Sequence, residues 1–216
     1  MTEATETREV PGLVVPGVSD TRRFWDQDKR LVEISVYHDE HADDPTKECG
    51  AQGTMHSFSS NHHNFLEPWD PEEYGSMKEW LDDRFPLGWV LLSYFEHGAC
   101  SWFPLNSETP AGVEFRWDGV RLAGVWEIDQ DVLDNYEARK GTEYETTLEK
   151  YCEGVCEEYT AWCNGHVYGF SVSVLDPGDS KPASEGGYGI YDAGSIKDCV
   201  VDTLYDLDVT SLVLIN

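Results

Sequence analysis

The densest set of potential metal ligands in the chain lies between residues 38 and 63. It comprises His38, Asp39, His41, His56, His62 and His63, with Asp43 and Asp44 between them. Imidazole and carboxylate are the ligands of three- and four-coordinate zinc sites. His38 and His41 follow an alternating apolar stretch, and His62-His63 sits in a polar loop able to fold over them. His38, Asp39, His41, His62 and His63 are therefore the candidate metal ligands, with His56 in reserve. A divalent metal is the one cofactor this set suggests, and no other is expected. Neither an H-E-x-x-H helix nor a paired C-x-x-C is present, and loop histidines in solvent are the competing account. Asp39, Glu40, Asp43 and Asp44 do not follow the EF-hand spacing for Ca²⁺.

A second set is acidic. Glu143, Glu145, Glu149, Glu153, Glu157 and Glu158 face a single Lys150 over residues 143–163. Four of them, Glu145, Glu149, Glu153 and Glu157, recur every four residues. On a helix rising ~1.5 Å per residue their carboxylates climb in steps of about 6 Å, close to the phosphate spacing of a nucleic-acid strand. Like charges at i, i+4 cost about 0.2–0.5 kcal/mol per pair, so the row opposes helix stability. The six glutamates are the candidate partner-binding residues; the alternative is a solvated face on an acidic protein.

Three cysteines, Cys152, Cys156 and Cys163, share the helical spacing of Leu148, Val155 and Tyr159, which makes them small apolar members of a core face. Glu96 and His97, beside Tyr94 and with Asp118 further on, could exchange protons if the chain brought them together. No G-x-S-x-G elbow, Walker loop or G-x-G-x-x-G fingerprint occurs, so no catalytic residue is assigned.

The elements that must position these residues read as follows. Alternating apolar positions predict strands over 31–37, 53–58, 89–95, 113–117, 121–128, 166–174, 187–191 and 211–215. Asp70-Pro71-Glu72-Glu73 predicts a helix start, with the stop before Pro86; Asp129 caps a short helix ending near Gly141. Thr142 and Glu145 form a capping box opening a helix that ends at Asn164-Gly165, and Ser195 opens a last helix to about Leu207. The expected fold is α+β: a mostly antiparallel sheet with about three to four helices in a single domain, residues 21–216, behind a mobile arm at residues 1–20.

Net charge bounds the partners. Over 216 residues, 42 Asp and Glu face 15 Lys and Arg, giving −27. Residues 1–20 hold Glu3, Glu6, Glu9 and Asp20 against Arg8, so −24 belongs to the body. Such a field repels nucleic acid and anionic membrane and favours cationic grooves on other proteins. Eight Trp, eleven Tyr and eight Phe supply core material that disordered acidic chains lack. The N-terminal residues lack the basic start and apolar run of a secretory signal, and no stretch approaches a membrane span. A cytoplasmic protein with six reduced cysteines is expected.

The ordered set Gly53-Thr54-Met55, Tyr94-Phe95-Glu96-His97-Gly98, Phe115-Arg116-Trp117-Asp118-Gly119, Ala123-Gly124-Val125-Trp126, Gly165-His166-Val167-Tyr168-Gly169-Phe170 and Gly186-Gly187-Tyr188-Gly189-Ile190-Tyr191 resembles a widespread family of uncharacterised bacteriophage and mobile-element proteins. The resemblance covers roughly residues 35–195. Relatives often carry Asp-His-Ser-Gly where this chain has Glu96-His97-Gly98-Ala99, and the 143–163 stretch is more acidic here. What the resemblance implies is a phage origin and a host-cell setting; it brings no activity. Charge and resemblance together lead to the expectation of an accessory protein that binds and inhibits or redirects a host protein with a cationic groove, as a nucleic-acid mimic, in host takeover or counter-defence. Two alternatives stand beside it: a metal-dependent enzyme built on the histidine set, and an acidic interaction protein without mimicry.

Overall fold

A computed structural model describes residues 8–48, 52–109 and 118–215. The fold is α+β, and every strand pair of its two sheets is antiparallel. Among the described residues there are four helices of eight residues or more and one of four. The body read as one domain divides into two compact units, Met1–Ala42 with Gly165–Asn216, and Asp43–Asn164. In chain order the second unit is inserted into the first.

The first unit holds β1 (Asp20–Asp26), β2 (Leu31–His38), β7 (Tyr168–Leu175), β8 (Ala183–Ile190) and β9 (Leu212–Leu214), in the order β8-β7-β2-β1-β9. Alternation in β2 buries Val32, Ile34 and Val36, which lie opposite Val174, Val172 and Phe170 of β7. Over this face Ile196, Val200, Val201 and Leu204 of helix α5 (Ile196–Asp206) complete the core. Each such side chain contributes about 1.5–3 kcal/mol when fully buried. The predicted mobile arm does not stand off from this unit over its described part. Val10 is buried, Leu13 and Val15 pack on the same core, and Pro11 O accepts from Leu212 N at 2.8 Å. Gly12 makes that approach possible: it has φ +82°, and a Cβ there would lie 1.8 Å from Leu212 O.

The second unit is built on β3 (Thr54–Ser57), β4 (Trp89–Glu96), β5 (Cys100–Pro104) and β6 (Gly119–Glu127), in the order β3-β6-β4-β5. Its helices are α1 (Pro45–Glu48), α2 (Met77–Arg84), α3 (Gln130–Arg139) and α4 (Leu148–Cys163). Successive residues of β6 point to opposite faces. Trp126 joins Met55, Leu92, Val132, Cys152, Val155 and Tyr159 under α3 and α4, while Val125 joins Trp80, Leu81 and Phe85 of the α2 segment.

Several predicted boundaries move. Asp70 closes a turn by accepting from Glu72 N at 2.8 Å, and the helix begins after Ser76, whose hydroxyl accepts from Glu79 N. Asp129 caps α3 as expected, through Val132 N at 2.8 Å. The Thr142–Glu145 box does not form; the two side chains close a turn instead, Thr142 Oγ1 donating to Arg139 O and accepting from Tyr144 N, and Glu145 accepting from Gly141 N. α4 starts only after Thr147, which accepts from Lys150 N. β1 and β5 went unforeseen, and the strand predicted at 113–117 lies outside the described residues.

Candidate functional site

The predicted metal ligands fall in both units. His38, Asp39 and His41 belong to the first unit and His56, His62 and His63 to the second. His38 packs its ring on Tyr168, with centroids 5.3 Å apart, and Asp39 accepts from the backbone of His41 and Gly189 at 3.3 and 3.1 Å. Strand alternation turns His56 to the α2 face, where it meets Glu127 at 2.8 Å and stacks on Phe85. On the α4 side, His62 Nδ1 and Ser57 Oγ share a 2.7 Å hydrogen bond, and His63 Nε2 lies 3.3 Å from Asp44. Each of these three histidines of the second unit has its own partner. Among the described residues no three His, Cys, Asp or Glu side chains are placed to hold one ion.

The acidic row contracts in the same way. Glu143 and Glu145 precede α4, which leaves Glu149, Glu153 and Glu157 in helical register. Glu158 turns to another side, accepts from Gln52 Nε2 at 2.9 Å, and has its carboxyl pushed up by burial. Glu149 and Glu157 are exposed; Glu153 retains 28% side-chain exposure and binds Lys150 Nζ at 2.6 Å. A groove of about 370 Å³ runs here between α4 and β5, lined in part by Ser107, Glu108, Lys150, Glu153 and Glu157. Glu153 first, and Glu108 and Glu157 after it, hold the Lys150 ammonium above its ordinary range. Lys150 thus sits among three carboxylates.

The last turn of α4 is fastened to the edge strand β5 by side chains acting as a surrogate strand. Thr160 Oγ1 accepts from Trp102 N at 2.9 Å; Asn164 Oδ1 accepts from Cys100 N at 2.8 Å and its Nδ2 donates to Cys100 O at 2.9 Å. Free strand edges invite foreign pairing, and this one is covered.

Beside the fastening lies a cavity of about 450 Å³ lined by residues including His62, His63, Tyr94, Glu96, Cys100 and Cys163. A neighbouring cavity of about 490 Å³ shares His62, Tyr94 and Glu96 with it. Tyr94 Oη donates to Glu96 at 2.8 Å, and burial foremost, then this contact, raises the phenol well above its ordinary range. His97 takes no part; it pairs with Asp118 at 3.0 Å on the surface.

Cys152 and Cys156 occupy the core face as predicted, but Cys163 does not: it is exposed, with its sulfur hydrogen-bonded to Cys100 and Tyr159. The five described cysteines are free, and Cys49 lies outside the described residues. The hydrogen bond from Cys163 lowers the Cys100 thiol, against burial, and the same bond raises Cys163. Tyr159 Oη lies in turn 3.5 Å from His63 Nε2. Sequence reasoning did not single out Cys100, whose partner is distant in the chain. Among the described residues no helix is long and apolar enough to cross a membrane. In comparisons with known proteins, no family model, no curated protein and no solved structure matches the chain.

Proposed function

We propose that this protein acts by binding a basic host protein, offering the outer face of α4 to a groove that otherwise holds nucleic acid. The observation that carries the reading is the placement of Glu149, Glu153 and Glu157 on one side of a single helix, with Glu108 across the groove and, among the described residues lining it, Lys150 as the one cation. Carboxylates about 6 Å apart along a helix reproduce the repeat of a phosphate backbone. The surrounding unit supports the choice of partner: from Asp43 to Asn164 the chain carries 25 Asp and Glu against 8 Lys and Arg. A field of that sign speeds encounter with a cationic surface and makes the complex salt-sensitive. The motif resemblance adds a phage accessory role in the host cytoplasm, in takeover or counter-defence.

Competition tests the reading. Host proteins captured by the full chain at low salt are challenged with duplex DNA and RNA. Release of the captured protein by nucleic acid, and weaker capture by Glu149→Gln/Glu157→Gln, are the expected results. A partner that stays bound under excess nucleic acid, or binds the double variant equally well, overturns the assignment.

A further inference from the structure

Cys100 opens β5 and Cys163 closes α4, 63 positions apart in sequence. Asn164, next to Cys163, makes two hydrogen bonds to the main chain of Cys100, and Thr160 adds a third to Trp102. The two sulfurs are thereby held in hydrogen-bonding contact on the wall of one cavity of about 450 Å³. One stands at a strand end and the other at a helix end, so closing a bond does not require a helix to unwind between them. We propose that Cys100 and Cys163 form a reversible dithiol–disulfide centre whose co-substrate is a low-molecular-weight disulfide admitted to this cavity.

The chemistry follows from the hydrogen bonds. Cys163 S–H donates to Cys100, favouring its thiolate, and the thiolate is the nucleophile in exchange. Cys100 attacks one sulfur of the disulfide RSSR, forming a Cys100–SR mixed disulfide and releasing RS⁻. With its thiolate acceptor consumed, Cys163 gives its proton to the departing RS⁻, while Tyr159 continues to donate to its sulfur. Cys163 then attacks the Cys100 sulfur, the Cys100–SR bond breaks, and the second RS⁻ leaves to take up the proton Cys100 had lost. The protein dithiol is oxidised by two electrons and RSSR is reduced to two RSH.

The test uses the full chain and oxidised glutathione. After equilibration and acid quench, intact mass and peptide mapping are expected to show the loss of two hydrogens and a Cys100–Cys163 cross-link, reversed by dithiothreitol. Cys163→Ala is expected to stop at a glutathione adduct on Cys100. Separate adducts without a cross-link, a cross-link pairing either residue with any other cysteine including Cys49, or an unchanged mass would each overturn the proposal. The wild-type mapping decides it even where the variant fails to fold.

Discussion

Helix α4 contributes to two pairs of sulfur atoms, and the pairs differ in everything except closeness. Cys152 and Cys156 have their sulfurs 3.9 Å apart, one helical turn from each other and almost wholly buried. Burial, with the contact to Cys152 behind it, pushes the Cys156 thiol well above its ordinary range. Residues at i, i+4 keep their Cβ atoms about 5–6 Å apart, whereas a disulfide needs roughly 3.5–4.5 Å, so this pair closes only by unwinding the helix. Cys100 and Cys163 stand on two elements, border a cavity, and are tuned oppositely by one hydrogen bond. Proximity of sulfurs therefore says little about reactivity; access and a donor to the thiolate decide it.

Alkylation under native conditions should break or confirm this contrast most forcefully. Thiols in the core react from opened molecules only, so Cys152 and Cys156 should label at least ~10³-fold more slowly than Cys100, given global stabilities of about 5–15 kcal/mol. Mass-resolved time courses give the ratio, and labelling of all four on one timescale would erase the distinction. Next in size is the fastening of α4. Asn164→Ala removes both hydrogen bonds to Cys100 and leaves edge groups of β5 without their partner, at a cost of roughly 1–3 kcal/mol. Asn164→Asp keeps the acceptor and should recover part of it in denaturant melts. Equal midpoints for Ala and wild type would show that the edge is held by other contacts.

A pH series sharpens the electrostatic half. Cys100 is lowered chiefly by the Cys163 hydrogen bond, while burial and then the Glu96 charge oppose it. Removing the donor in Cys163→Ala should move the midpoint of Cys100 alkylation to higher pH. Neutralising the opposing charge in Glu96→Gln should move it lower. Shifts of the same sign in both variants would contradict the proposed balance.

Legibility from sequence followed the range of the interaction involved. The alternation of Leu31–His38, the Asp129 cap and the core placement of Cys152 and Cys156 are local patterns, and the structure keeps them. The Thr142–Glu145 pair misled because the same two side chains can close a turn, bonding Arg139 O and Gly141 N in place of each other's backbone, and so satisfy backbone groups without starting a helix. β5 escaped notice because Cys100–Pro104 is short and ends in proline, its edge amides being satisfied by Thr160 and Asn164 from far along the chain. Asn164 read only as the end of a helix. Its second role, and with it the meeting of Cys163 with Cys100, depends on tertiary contact that spacing rules do not encode. The histidines show the same limit within one unit: strand alternation sends His56 to Glu127 and Phe85, while His62 meets Ser57, partners that spacing in the sequence does not encode.

The smallest effect concerns the opposite face of α4, where charge replaces sulfur as the paired group. Glu149–Glu153 and Glu153–Glu157 are both like-charged i, i+4 contacts on a helix whose other side is packed against the sheet. Replacing Glu149 and Glu157 by Gln removes both repulsions and keeps the Lys150–Glu153 ion pair. Stability should rise by about 0.2–0.5 kcal/mol per contact, and less at high salt, where exposed charges are screened. Part of the gain is cancelled because Glu157 also attracts Lys150. The core thiols should not register the change, since they lie on the buried side, and Cys152 and Cys156 should stay equally protected. Capture of a basic partner should weaken as stability rises. If the double variant instead loses stability, the three carboxylates are held by attraction to Lys150 more than they are opposed by one another, and the row would be a folding element in its own right.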